Sequence, residues 1–409
     1  MIRAAVPVAA LLAGALLLGA AVAEASAAPQ KRAPELPEID PYTEEDPDVM
    51  AAAGIVRYGG FLVDGAHLTT EVEEVLGIKS LRWLETEHFR IGCALPPYKP
   101  QSMQEKKKVR AELEVLSERL KGVKPKTRIV DPWLRLHLVA LRAEAFYAAF
   151  LEQTGMTDAD FPKAGGDNQE GEWMGQGPYL GQKGKFVLLF TTKASTFSRF
   201  CRRFARDVED TPLRHMYPEP GILLYGCAME HLGVRDDADT ALHAFMGWNL
   251  AQVFSDAFKS FTHRLPPWFT EAYAHWTGRG VDERCSNHTP GAGPPIRWKS
   301  DTNWAPKVRA RVQHKVFPSF RKQIEVRDVG EFDFNDHMFL WSRMEFLMQR
   351  EGNGLGTYLR MMKGRLPGSV SVPTADILFR RQGDQVIPAA WGATVEELDA
   401  EWQEWVMET

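Results

Sequence analysis

From residue 81 to 95 (LRWLETEHFRIGCAL) apolar and polar positions alternate, the spacing of a half-buried strand. Helical spacing follows. Val109, Leu113 and Leu116 recur at intervals of three and four across residues 104–120. Residues 131–154 predict a second helix, with Asp131 as N-cap and Pro132 at the first helical position. The glycine-rich stretch 165–185 predicts a loop, and no Lys-Ser/Thr helix start follows it to make a phosphate cradle.

Phe186 to Phe190 is a continuous apolar run, read as a buried strand, and residues 195–206 put Phe197, Phe200, Cys201 and Phe204 on one helical side. Residues 221–227 (GILLYGC) read as another strand. Asp239 then predicts the N-cap of a long helix reaching about residue 261, and Pro267 opens a helix closed by Gly278. A long loop is expected over 287–305. From 336 onward the pattern is helical, broken at Gly352-Asn353-Gly354, Pro367-Gly368 and Trp391-Gly392. Strands in the first half and helices in the second predict an α+β fold with a helical C-terminal subdomain.

The first 50 residues lie outside that pattern. Met1-Ile2-Arg3, an Ala/Leu/Gly/Val run over 4–23, and small residues at Ala23-Glu24-Ala25 and Ala25-Ser26-Ala27 read as a cleavable signal peptide, 1–27. The run is nearly long enough for a membrane anchor. Its Ala and Gly content, its two A-x-A sites and the lack of a basic flank favour cleavage instead. Residues 28–50, rich in Pro, Asp and Glu, predict a disordered linker. The expected plan is then an α+β domain over 51–280, a long loop and connector over 281–334, and helices over 335–409. The expected location is secreted or periplasmic, soluble after cleavage and without stable membrane insertion.

A net charge of -5 argues against nucleic acid as a partner. The one basic run, Lys106-Lys107-Lys108 with Arg110, reads as a solvated helix face. Cys93, Cys201, Cys227 and Cys285 form no C-x-x-C pair; up to two disulfides and four buried thiols both remain open.

One constellation carries chemistry. The strand at 221–227, the helix bearing His243, and Pro267-Trp268-Phe269-Thr270-Glu271-Ala272-Tyr273-Ala274-His275-Trp276 resemble, in order and spacing, the gluzincin (peptidase MA-like) zinc metallopeptidases. That family pairs a helix carrying H-E-x-x-H with a second helix carrying P-x-W-x-x-E-G-x-A-x-[YW]. Residues 390–402 also resemble the closing helix of its secreted members, so the likeness runs from Phe186 to the C-terminus. It implies a gluzincin-like fold, a mixed sheet with an active-site helix, and places His243 and Glu271 at ligand positions.

The first motif departs from the family. Ala244 stands where the catalytic glutamate would be and Gly247 where the second histidine would be. A catalytic zinc needs three protein ligands and an open position, and two of the ligands should share a helix face at i and i+4. Asp239, His263 and His275 are the nearby substitutes, with competing readings as an N-cap, a helix C-terminal histidine and a core histidine. His243 itself also reads as a buried, hydrogen-bonded histidine, and Glu271 as a first-turn acid. Trp248, Trp268 and Trp276, with Trp298 and Trp304, are either core or the lining of a cleft. There is no G-x-S-x-G, and Asn287-His288-Thr289 fits a glycosylation sequon.

The expected function is that of an exported, non-catalytic homologue of a zinc metallopeptidase, a pseudoenzyme without a cofactor. Its cleft would bind a polypeptide or an envelope component. Two alternatives stand beside it. One is an active zinc-dependent peptidase with non-standard ligands such as Asp239, His243 and Glu271; the other is a structural cell-envelope protein.

Overall fold

The computed structural model describes residues 38–161, 177–208, 211–233, 236–259, 265–286, 303–364 and 375–409. The expected signal peptide, His263, the Asn287-His288-Thr289 sequon, Trp298 and the Pro367-Gly368 break lie outside the described residues. Residues 38–50, expected within a disordered linker, are folded. Asp40 is buried and holds His137 Nε2 at 2.8 Å and the Tyr58 hydroxyl at 2.5 Å, and Asp46 caps the short helix Pro47–Ala52. Paired acids of this kind bury without cost to charge balance, which composition alone does not reveal.

The chain is α+β. Five strands, β1 (Arg82–Glu85), β2 (Phe89–Ala94), β3 (Phe186–Thr191), β4 (Leu213–Tyr217) and β5 (Ile222–Ala228), form one mixed sheet in the order β1-β2-β3-β5-β4. The three central strands run parallel, with Phe89 opposite Phe186 and Val187 opposite Leu224, and the edges β1 and β4 are antiparallel. Both faces are covered. Phe186, Leu188, Phe190, Tyr225 and Cys227 join the main core, whereas Val187, Leu189, Leu224 and Ala228 join a smaller core with Trp83, Phe197 and Phe200. This is why β3 reads as an unbroken apolar run rather than an alternating one.

Residues 81–95, read as one strand, are a hairpin that turns at Glu87-His88. Edge strand β4 was not predicted. Four of its five residues are only half-buried, and Arg214 and His215 hide the alternation that marks a strand.

Helices pack on both sides of the sheet. Those used below are α1 (Met103–Ser117), α2 (Pro132–Thr154), α3 (Ala238–Ala257), α4 (Pro267–Val281), α5 (Trp304–Gln313), α6 (Phe334–Met348) and α7 (Val395–Glu408). Helix α2 starts where its sequence predicts. Asp131 accepts hydrogen bonds from the amides of Trp133 and Leu134, which have no partner inside the helix. The main core runs from Leu84 to Val406, so the C-terminal helices pack on the same core as the sheet. Among the described residues no helix is long and apolar enough to cross a membrane.

Two expectations about helix ends are corrected. Asp239 is not the N-cap of α3: it lies in the first turn, while the leading amides of Ala238 and Thr240 are taken by the Tyr98 hydroxyl and by Glu105. Gly278 does not end α4, which continues to Val281. It lies where α4 crosses α3: a Cβ there would stand 3.0 Å from the Trp248 Cβ and from the Cys285 sulfur, and 3.1 Å from the Ala244 carbonyl oxygen. The absence of a side chain sets how closely the two helices approach.

All four cysteines are buried and none is joined in a disulfide. Cys93 and Cys227 bracket Phe190 in register. Two strand spacings, about 9–10 Å, exceed the roughly 7 Å between Cα atoms that a disulfide spans.

Because the α3–α4 contact leaves no room at Gly278, Gly278→Val is expected to lower stability by about 1–3 kcal/mol through overpacking. Urea denaturation checks this; a variant as stable as the parent would mean that the helices separate freely.

Candidate functional site

Three helices converge on one buried ion network. Helix α2 supplies Arg142, α1 supplies Lys108 and Glu112, and α3 supplies Asp239 and His243. Arg142 forks to both carboxylates: Nε and Nη2 donate to Glu112 at 3.0 and 2.6 Å, and Nη1 and Nη2 donate to Asp239 at 3.1 and 2.6 Å. Lys108 Nζ stands 3.1 Å from Glu112 and 3.8 Å from Asp239. Lys108 and Arg142 balance Glu112 and Asp239 without His243, and Arg135 adds a further positive charge near Asp239. Burial alone would raise the Asp239 carboxyl, but Arg142 and Lys108 hold it at about 2.

His243 completes this network rather than a zinc site. Its Nδ1 is 3.3 Å from Glu112 Oε1, and its ring meets Phe146 edge-on with centroids 5.3 Å apart. Burial, reinforced by the charge of Arg142, pulls its pKa down to about 4, so the imidazole is neutral at pH 7. Among the described residues His243 makes neither an ion pair nor a hydrogen bond with Glu271. The two expected ligands are therefore not brought together. Asp239 is no substitute either, because both of its oxygens are engaged by Arg142.

The other motif positions are filled by packing. Ala244 is buried against Gly278, and a Cβ on Gly247 would lie 2.6 Å from the Phe146 ring. The zinc that the family resemblance implies does not fit here. Gly247 offers no ligand at i+4, Asp239 at i−4 is taken up by Arg142, and His243 already faces an ion network.

Glu271 instead belongs to a different cluster. It shares a face of α4 with His275, four residues on, and both meet His337 from α6. His275 Nε2 and His337 Nδ1 are 3.0 Å apart, and Glu271 Oε2 lies 3.8 and 3.5 Å from them. Relative exposures of 2, 0 and 1% shut all three residues away from solvent. Trp304 and Phe332 close over the histidine rings edge-on, at 5.2 and 5.9 Å. Burial raises the Glu271 carboxyl to about 8, against the pull of Arg214 on β4.

A second grouping, Glu87, His88 and Asp158, looks similar in composition but not in geometry. Both His88 nitrogens already face carboxylates, Nδ1 to Glu144 at 2.6 Å and Nε2 to Asp158 at 2.9 Å. Burial alone would lower the His88 pKa, but these acids raise it above the ordinary value.

Beside the Glu271 cluster runs a groove of about 700 Å³ walled by aromatic side chains. Helix α4 contributes Trp276, α5 contributes Trp304, α6 contributes Trp341 and α7 contributes Trp405, and α2 adds Phe146. Arg279 is stacked within the wall, its guanidinium carbon 3.8 Å from the centroid of Trp304 and 4.9 Å from that of Trp341. Glu283 and Glu345 supply carboxylates among the lining residues. Of the tryptophans read as cleft candidates, Trp276 and Trp304 line this groove. Trp304 is itself fully buried and forms the floor behind Arg279 rather than an open face, and Trp248 and Trp268 lie outside the lining, Trp248 stacked on Phe245 and Trp268 donating its indole N–H to Gln382.

No known family model matches the chain, and no curated protein matches it significantly.

Sequence reasoning missed Arg142, Glu112, His337, Trp341 and Trp405, none of which sits in a motif. It also misread Lys108. Lys106, Lys107 and Arg110 are exposed as expected, but Lys108 turns inward to Glu112 and Asp239. The available signal was Lys108 and Glu112 at i, i+4, which places both on one helical face.

The low pKa of His243 has a defined effect on stability. The unfolded chain takes up this proton near pH 6.5, but the folded chain does so only near pH 4. Stability is therefore complete above about pH 6.5 and falls as pH drops toward 4, by up to about 3 kcal/mol. Glu112 and Asp239, depressed by Arg142 and Lys108, lose their contribution in the same direction but at lower pH. In urea titrations at pH 7 and pH 4.5, His243→Gln should lose less stability than the parent; equal losses would contradict the neutral, buried assignment.

Proposed function

We propose that the chain is an exported, non-catalytic relative of the gluzincin metallopeptidases that binds a polypeptide in its tryptophan groove. The observation that carries this reading is the contrast between two places. Where the family holds zinc, Ala244, Gly247 and the His243 ion network leave no ligand set; beside Glu271 and His275, the partly exposed Trp276, Trp341 and Trp405 line a groove of about 700 Å³.

The groove suits an extended segment carrying apolar side chains and at least one Lys or Arg. Rigid aromatic rings give large contact area for little lost rotamer freedom, and Glu283 and Glu345 complement a cation. A hydrolytic role for Glu271, His275 and His337 has little support, because all three are closed off from water and substrate. The signal-peptide pattern at the N-terminus supports export.

Fluorescence-polarisation titration with a panel of unstructured basic, neutral and acidic peptides tests the proposal. Binding should favour basic apolar peptides, weaken with salt, and fall by tenfold or more in Trp276→Ala or Trp341→Ala, about 1.4 kcal/mol or above. Binding indifferent to both substitutions, selectivity for glycans instead of peptides, or peptide cleavage abolished by Glu271→Gln would overturn it.

A further inference from the structure

We propose that Glu271, His275 and His337 form a binding site for one divalent transition-metal ion, suited to zinc, which pins α4 to α6 inside the core. The proposal stands on the geometry of these three residues and does not depend on the groove.

The three donor atoms form a triangle with sides of 3.0, 3.5 and 3.8 Å. Donors about 2.0–2.1 Å from a tetrahedral ion lie about 3.3–3.4 Å from one another, and a triangle of these dimensions has a point about 2.0 Å from each corner. An ion can thus sit at ordinary Zn–N and Zn–O distances with almost no movement of the side chains.

The donor chemistry agrees with the spacing. Two imidazole nitrogens and one carboxylate oxygen suit zinc, cobalt or nickel better than magnesium or calcium, which take oxygen ligands. Glu271 Oε2 is buried and accepts no hydrogen bond among the described residues, so its lone pairs have no donor to meet. A carboxylate oxygen left so is costly in an apolar core, and an ion at the centre of the triangle would satisfy it. Without an ion, the two histidine nitrogens at 3.0 Å have to share a proton; with one, both turn their lone pairs to the same centre.

The contrast with His88 sharpens the assignment. There two acids clamp both ring nitrogens, and the cluster is complete as an ion-paired histidine. At His275 and His337 the nitrogens face each other and a carboxylate oxygen instead. Burial of the whole triad makes this a structural site. Its consequence is mechanical: α4 carries Trp276 and α6 carries Trp341, so an ion joining the two helices holds two lining elements of the groove in register.

The test loads metal during folding, because a closed site fills slowly once folded. The full chain is unfolded in guanidinium with chelator, refolded with Zn(II), Co(II) or Mg(II), desalted and assayed for bound metal. One Zn(II) or Co(II) per chain is expected, with no Mg(II) retained and with visible Co(II) absorption bands of a low-coordinate site. His337→Ala and Glu271→Gln should each weaken retention by more than the roughly 10–100-fold that loss of a mere outer-shell partner costs. Glu271→Gln keeps the side-chain shape, so it decides the matter if His337→Ala does not fold by circular dichroism. Sub-stoichiometric uptake by the parent, or uptake unchanged in both folded variants, overturns the site; in the second case the metal is bound elsewhere.

Discussion

The close crossing of α3 and α4 governs the centre of this protein. At Gly278 the second helix lies so near the first that a single added carbon would touch Trp248, Cys285 and the Ala244 carbonyl together. That approach buries Trp248 beneath α4 and brings its ring within 6.3 Å of His275. It also orients α4 so that Glu271 and His275 point toward α6 while Trp276 and Arg279 turn to the groove. A core packed at crystal density transmits such a constraint without slack.

The crossing separates two polar clusters that answer the cost of buried charge in opposite ways. Around Arg142 the solution is internal. Each carboxylate has a bidentate partner, Lys108 balances the remaining charge, and His243 is held neutral. Such a network withstands burial because each of its carboxylates is paired with a cation, although removing one member would strand the others. Around Glu271 the solution differs: its carboxyl is pushed up to about 8 and, among the described residues, Oε2 accepts no hydrogen bond, so a proton or a cation would neutralise it.

Much of the fold is legible in the sequence because the signals are local. Asp131 and Pro132 mark the start of α2 within one turn, and the apolar run of β3 announces a strand covered on both faces. The site residues are not legible by the same means. Arg142 and Asp239 are 97 residues apart, and His275 and His337 are 62 apart. Nothing in the spacing near His337 distinguishes it from any histidine on the buried side of an amphipathic helix. Lys108 shows the same limit at short range, since its two lysine neighbours face water and only the fold assigns it a buried acid.

The metallopeptidase resemblance acquires a physical meaning from this packing. If Ala244 and Gly247 were the only departures from the motif, the rest of a zinc site would still surround them. Instead Gly247 is pressed against Phe146, Ala244 lies beneath α4 at the crossing, and His243 is the neutral member of a network with Glu112. Rebuilding H-E-x-x-H on α3 would insert a glutamate and an imidazole into space already occupied, at overpacking costs of about 1–3 kcal/mol or more for each site. It would also add two ionisable groups beside Arg142, Lys108 and two carboxylates that already cancel. The small residues and the ion network support one another, so α3 is committed to holding the core, and the proposed metal site lies on other helices, between α4 and α6.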